Sequence, residues 1–322
     1  RAGLMREWLR LLEKQGVDVL ALEHNINHWS VKKLLDQSIA KFKVTFIDKE
    51  ANKNDFSHEV MEAMQGCLAC KACASQCPIK VDVPDFRSRF INLYHSRYPR
   101  PLKDHLVANV ETLAPLMAKA PKLVNRILSL KAYDKLSEKT IGYVNTPLLS
   151  VPSLKAQVKE AGYSGFNLTW LQGLTELQRK GYVLIVQDPF TSFYDANTVK
   201  SMMALIKKLG LEPILLPFKP NGKPQHVKGF LSRFASTAKS SSEFLNQLAQ
   251  LNIPMLGMDA SMVLCYRDEY AKMLGDKRGN FEVLLAHEWL LSFVHNDTSF
   301  KSDVNDRNAN NSISKPLIFI II

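Results

Sequence analysis

The sequence predicts a mixed architecture: an α-helical first half that carries a compact cysteine loop, followed by an α/β domain with a short parallel sheet. Three observations predict it. Four of the five cysteines fall in one stretch, "CLACKACASQCP", residues 67–78. Apolar residues on both sides of that stretch recur at helical spacing. From Gly181 onward the pattern becomes strand, helix, strand, helix, strand, an alternation that builds parallel pairs.

The elements follow in order. "GLMREWLRLLEKQG" places Leu4, Trp8, Leu11 and Leu12 on one helical face and stops at Gly16. A second helix is predicted from the N-cap Ser30, with Val31, Leu34, Leu35 and Ile39 inward. "DKEANKNDFS" reads as a loop, and a short helix then carries Val60, Met61 and Met64 toward the cysteines. After them Pro84 suits a first helical turn, and Phe86, Phe90 and Leu93 line one side of the helix it opens. Residues 101–176 read as helices broken by Pro115, Pro121, Pro147 and Pro152. "YVLIVQDPF", "EPILLPF" and "IPMLGMD" are the strands, separated by the helical segments "ANTVKSMMALIKKLG" and "SSSEFLNQLAQLN". "NDTSFKSDVNDRNANNSISK" is polar and without period, and predicts disorder.

Composition sets limits on function. The 322 residues are 46% hydrophobic, enough for roughly two domains with real cores. No run approaches the roughly 20 apolar residues that span a bilayer, and the start has no signal-peptide core. A soluble, cytoplasmic protein without a transmembrane segment is expected. The formal charge of +11 would suit nucleic acid, but Lys and Arg are interleaved with Asp and Glu and no nucleic-acid module is recognisable. A solvated surface or an acidic partner accounts for it better.

Cys67, Cys70, Cys73 and Cys77 form a CxxCxxCxxxCP array closed by Pro78. Spacings of three keep thiolates on one tight loop around an inorganic cube whose irons each take a single soft ligand. Ala69, Ala72, Ala74 and Ser75 are small enough for backbone amides to approach the sulfides. A tetrahedral zinc site draws on separated CxxC knuckles, which one continuous loop does not supply. The array therefore predicts a 4Fe-4S cluster in a ferredoxin-like helical domain. In the bacterial two-cluster arrangement the fourth cysteine serves the other cluster, so Cys77 reaches toward a second one whose remaining ligands are not in this chain. Cys265, among apolar neighbours in "MVLCYRDE", reads as a packed thiol.

The stretches "CLACKACASQCPIKVDVPDFRSRF", "YVLIVQDPFTSFYDA" and "GMDASMVLCYRDEY" together resemble the C-terminal part of the large bacterial FAD-linked, iron-sulfur D-2-hydroxyacid dehydrogenases of the D-2-hydroxyglutarate dehydrogenase type, over about residues 1–295. The resemblance implies an oxidoreductase whose FAD domain takes a hydride from the substrate and whose iron-sulfur centres, held here by Cys67, Cys70, Cys73 and Cys77, relay electrons to an acceptor. It also implies that the flavin domain and an earlier cysteine array lie upstream of "RAGLMREW", so that the chain is truncated at both ends and does not turn over alone. The partner is then that flavin domain, in the same full-length chain or as a separate subunit. The α/β part resembles the cysteine-rich domain of glycolate oxidase and anaerobic glycerol-3-phosphate dehydrogenase iron-sulfur subunits. Where those carry "PSC" this chain has Ala260, Ser261 and Met262, and Asp188 and Pro189 stand near the first strand, so no cysteine-ligated centre is expected there. A free-standing iron-sulfur subunit and a vestigial, non-catalytic fragment are the alternatives.

The domain boundaries expected are a helical lead-in over 1–57, the iron-sulfur domain over 58–110, a helical connector over 111–176, the α/β domain over 177–295 and a disordered tail over 296–322. Arg87, Arg89, Arg97 and Arg100 read as a solvated face or as a dock for the flavin domain. His95 lies near the cluster helix, and Arg267, Asp268 and Glu269 read as an exposed charge group with no catalytic role. No GxGxxG, Walker loop or Ser-His-Asp arrangement is present.

Overall fold

A computed structural model of the chain describes residues 2–14, 16, 18–19, 56–78, 80–142 and 146–296. The helix expected from Ser30 and, beyond Asn296, the tail expected to be disordered lie outside these residues; Asn296 itself ends a helix. The chain divides into two compact units, Arg1–Leu148 with Asn221–Ser240, and Leu149–Pro220 with Ser241–Ile322.

The first unit is helical. Its core is made by α1 (Ala2–Lys14), α2 (Ser57–Gln65) and α4 (Val83–Arg97), with the five-residue α3 (Ala72–Gln76) between the last two. Met5, Trp8 and Leu12 of α1 meet Val60 and Met64 of α2 and Phe90, Ile91 and Leu93 of α4 in one apolar cluster. Trp8 sets its ring edge-on to Phe90, with centroids 4.9 Å apart, and donates Nε1–H to Ser57 Oγ at 3.0 Å. The indole thus buries its area and still satisfies its donor.

Two inward faces differ from the expectation. Met5, not Leu4, is buried, because the contact stripe of α1 runs Met5–Trp8–Leu12 at the i, i+3, i+7 spacing. On α4 Phe86 is 41% exposed and the next residue, Arg87, is buried. A charged side chain takes that inward position because it has backbone acceptors there, as described below.

α5 (Leu102–Ala108), α6 (Val110–Met117), α7 (Pro121–Leu128) and α8 (Lys131–Ile141) continue the unit. Pro121 opens a helix as expected of a first-turn proline, whereas Pro115 sits inside α6 and does not break it.

In the second unit α9 (Leu154–Glu160), α10 (Leu168–Gly173) and α11 (Glu176–Arg179) precede a four-stranded parallel sheet. Its strands are β1 (Tyr182–Val186), β2 (Glu212–Leu215), β3 (Met255–Gly257) and β4 (Leu284–Leu285), in the order β2-β1-β3-β4. Tyr182 pairs with Glu212 on one side of β1 and Leu184 with Met255 on the other. Val183, Leu184 and Ile185 are all fully buried, as a central parallel strand covered on both faces requires. The three expected strands are present, and β4 is an addition too short for a sequence pattern to reveal.

α12 (Pro189–Phe193) follows β1, and α13 (Ala196–Lys208) then lays Ala196, Val199, Met203 and Ile206 on the sheet before stopping near Gly210. α14 (Lys223–Val227) belongs to the first unit, and α15 (Leu231–Ala249) follows it in the chain. α16 (Ala260–Arg267), α17 (Glu269–Leu274) and α18 (Ala286–Asn296) complete the described residues.

Candidate functional site

The cysteine array begins where α2 ends. Met64 is wholly buried at the foot of α2, and its carbonyl accepts the Cys67 amide at 3.1 Å, which turns the chain out of the helix. The loop that follows is shaped by two left-handed residues that are not glycine, Ala69 at φ 54° and Lys71 at φ 58°. That conformation costs an L-residue roughly 1–2 kcal/mol, so it is held by its surroundings. α3 then runs to Gln76, and Cys77 donates its amide to Cys73 at 3.1 Å before the extended step into Pro78.

Cys67 and Cys73 are half-buried and pack on the Trp8–Met64–Phe90 cluster; Cys77 is half-buried and Cys70 exposed. None of the four cysteines is in a disulfide. Among the described residues no three His, Cys, Asp or Glu side chains come together closely enough to hold a metal ion. The structure thus places the four cysteines on one loop without bringing their sulfurs to one point.

The backbone supplies the test of fit. Left-handed residues at 69 and 71 flank Cys70, and turns that include such residues are among those that form anion-binding concavities, iron-sulfur sites included. Among the described residues no hydrogen bond is found for the amides of Leu68, Ala69 and Cys70. Three donors and four thiols on one short loop fit an anionic, sulfide-bearing group.

α4 and the residues that follow it carry several charged side chains, of which Arg87 reaches the start of the loop. Arg87 is 8% exposed; its Nε donates to Met64 O at 3.1 Å and its Nη1 to Val227 O at 2.9 Å. Arg100 donates to the carbonyls of Lys228 and Gly229 and lies over the Phe230 ring at 3.9 Å, and burial pushes it down to about 10. The expected solvated arginine face is therefore half wrong: Arg89 and Arg97 are exposed, Arg87 is buried and Arg100 half-buried. His95 is buried, and burial followed by the charge of Arg100 lowers it to about 4, so it is a neutral ring 3.8 Å from Asp104. Asp104 is paired instead with Lys228 at 2.7 Å.

Sequence reasoning missed the residues that fasten the 221–240 segment to this unit. Glu111, 2% exposed, accepts the amides of Asn221 at 2.7 Å and Gly222 at 2.8 Å. Gly229, at φ 67°, approaches α4 so closely that a Cβ there would lie 2.8 Å from the Asn92 amide. His226 is buried beside Ser88 at 3.3 Å. Only the Asn-Gly pair signals a turn in the sequence; its carboxylate partner is more than a hundred residues away and leaves no local trace.

In the α/β unit two carboxylates cap helices that follow neighbouring strands. Asp188 accepts the amides of Phe190 and Thr191, both at 2.8 Å, and the Thr191 hydroxyl. Asp259 accepts the Met262 amide at 2.9 Å. Burial raises the Asp188 carboxyl, its hydrogen bonds from Thr191 and Phe190 oppose that, and the nearby charge of Asp259 adds to it. Cys265 is fully buried, as expected of a packed thiol. Arg267, Asp268 and Glu269 do not form one exposed group: Arg267 bridges both oxygens of Glu288, at 2.9 and 2.5 Å, Asp268 meets Lys272 at 3.0 Å, and Glu269 is buried.

No described helix is long and apolar enough to cross a membrane. No family model matches the chain, and no solved structure matches it. Among curated proteins it is 56% identical over 294 residues to D-2-hydroxyglutarate dehydrogenase of Escherichia coli K12, covering 91% of this chain, and 56% identical over 294 residues to that of Pantoea ananatis. The D-2-hydroxyglutarate dehydrogenase of Pseudomonas putida is 42% identical over 294 residues. The chain spans about 28% of the length of each of these relatives.

Proposed function

Because the chain is homologous to a portion of D-2-hydroxyglutarate dehydrogenase, an oxidoreductase, we propose that it is the iron-sulfur, electron-transferring portion of a FAD-dependent D-2-hydroxyacid dehydrogenase, with D-2-hydroxyglutarate as the substrate. A 4Fe-4S cluster would be held by Cys67, Cys70 and Cys73, with Cys77 directed to a second cluster. When bound, such a cluster supplies reversible one-electron transfer. In this reading a flavin domain, in the same full-length chain or on a separate subunit, removes the hydride, and the present residues pass electrons to an acceptor. A cytoplasmic location, where thiols stay reduced, is part of the proposal.

The chain's own residues have three tasks. The thiols bind iron. The loop amides at 68–70 offer hydrogen bonds that favour the more negative, reduced state. The apolar cluster of Trp8, Met64 and Phe90 behind Cys67 and Cys73 keeps water from that side.

The observation that carries the reading is the loop itself: four cysteines outside any disulfide within eleven positions, on a backbone with left-handed residues at 69 and 71 and with no hydrogen bond found among the described residues for the amides of Leu68, Ala69 and Cys70. Anaerobic reconstitution with iron and sulfide tests it. Iron and acid-labile sulfide in equal amounts, with a broad thiolate-to-iron absorption, are expected. Stoichiometric zinc with no uptake of iron would refute it.

A further inference from the structure

Arg87 poses a question of charge compensation. The residue is 8% exposed, yet both hydrogen bonds of its guanidinium go to neutral backbone carbonyls, Met64 O and Val227 O. Among the described residues no carboxylate forms an ion pair with it. The neighbouring cations differ. Arg89 is exposed and meets Asp85 at 3.4 Å, and Lys228 takes Asp104 at 2.7 Å. Arg87 is the cation of α4 that is both buried and without an anion, and burying a charge in that state is unfavourable unless something negative compensates it.

The carbonyl that Arg87 holds links it to the cysteine loop. Met64 O accepts Arg87 Nε at 3.1 Å and the Cys67 amide at 3.1 Å, so the guanidinium and the start of the cysteine loop converge on one oxygen. Burial pushes Arg87 below its ordinary value, and the charge of Asp104 opposes this. Asp104 already has Lys228. Asp85 meets Arg89 and lies 3.8 Å from His226, and the cysteine loop, whose thiols become thiolates when they bind iron, starts at the oxygen that Arg87 holds.

We propose that Arg87 is the built-in counter-ion of the cysteine-ligated cluster, a positioning residue whose buried positive charge stabilises the reduced state of that cluster. The proposal rests on the iron-sulfur reading above and adds to it the residue that tunes the centre. Uptake of one electron makes or breaks no bond and adds one negative charge. A fixed cation beside Cys67 lowers the energy of the reduced state more than that of the oxidised one. The two carbonyl bonds hold the charge in place and explain why a guanidinium, with its fork of donors, occupies the position rather than a lysine.

The test uses the whole 322-residue chain, reconstituted anaerobically, as wild type, Arg87→Gln and Arg87→Lys. Dithionite supplies the electron, and the midpoint is read by EPR across a potential titration. Arg87→Gln is expected to bind the electron about tenfold more weakly, a midpoint about 59 mV more negative. Arg87→Lys, which keeps the charge and loses the fork, should recover most of that shift. If Arg87→Gln takes up no iron, Arg87→Lys decides: loading near the wild-type potential supports the counter-ion, and failure to load overturns it. A loaded Arg87→Gln protein with an unchanged midpoint would overturn the counter-ion and leave the cluster reading intact. Wild-type protein that takes up no iron would sink both.

Discussion

Removing the Glu111 carboxylate tests how the first unit holds the segment that reaches Arg87. Glu111 is buried, and its two oxygens accept the Asn221 and Gly222 amides at 2.7 and 2.8 Å. That turn opens α14, whose Val227 carbonyl receives Arg87 Nη1. In Glu111→Ala both amides lose a charged acceptor in a place that water does not reach. Each unsatisfied donor costs about 1–3 kcal/mol, so the expected loss is about 2–6 kcal/mol. Glu111→Gln keeps one acceptor oxygen and should lose about half as much. The assay is urea unfolding followed by far-UV circular dichroism, with the midpoint falling at an unchanged slope. A Glu111→Ala protein within about 0.5 kcal/mol of wild type, the usual range for a surface change, would refute the reasoning.

Two other perturbations have definite signs. His95 is held at about 4 by burial and by Arg100, against about 6.5 in an unfolded chain. The unfolded state therefore binds more protons between these values, so stability is complete above about pH 6.5 and declines toward pH 4, by up to about 3 kcal/mol. Denaturation midpoints across that range should show the decline, and His95→Gln should flatten it; an unchanged slope in the variant would assign the effect elsewhere. Phe90→Ala empties the site against Trp8 and should cost about 3–5 kcal/mol, whereas Phe86→Ala, one turn earlier and 41% exposed, should cost under about 1 kcal/mol. Equal losses in thermal melts would contradict the orientation of α4.

The strands were legible because a parallel sheet covered on both faces writes itself as unbroken apolar runs: Val183, Leu184 and Ile185 leave no polar residue to explain. Helix positions were legible too, but their inward faces less so. Periodicity assigned Phe86 to the core of α4 because it is apolar. The fold instead turns Arg87 inward, since its acceptors lie 23 and 140 residues away and satisfy a guanidinium that hydrophobicity alone would expel. The same holds for Glu111, whose partners are 110 and 111 residues distant. In the candidate site the thiols could be read from their spacing. The left-handed turns at Ala69 and Lys71 could not, because neither residue favours that conformation.

In the function proposed above, this one loop holds an iron-sulfur centre used for electron transfer, with Cys77 serving another. Iron counting and EPR on anaerobically reconstituted wild type, Cys73→Ser and Cys77→Ser test it most directly. Expected are iron and sulfide in the wild type, a centre that loses iron in air and collects as a 3Fe species, no assembly in Cys73→Ser and nearly unchanged occupancy in Cys77→Ser. A stable 4Fe-4S cluster that vanishes in Cys77→Ser would show that the loop closes its own site and contradict the two-cluster assignment. A wild type that binds only zinc would contradict the claim itself.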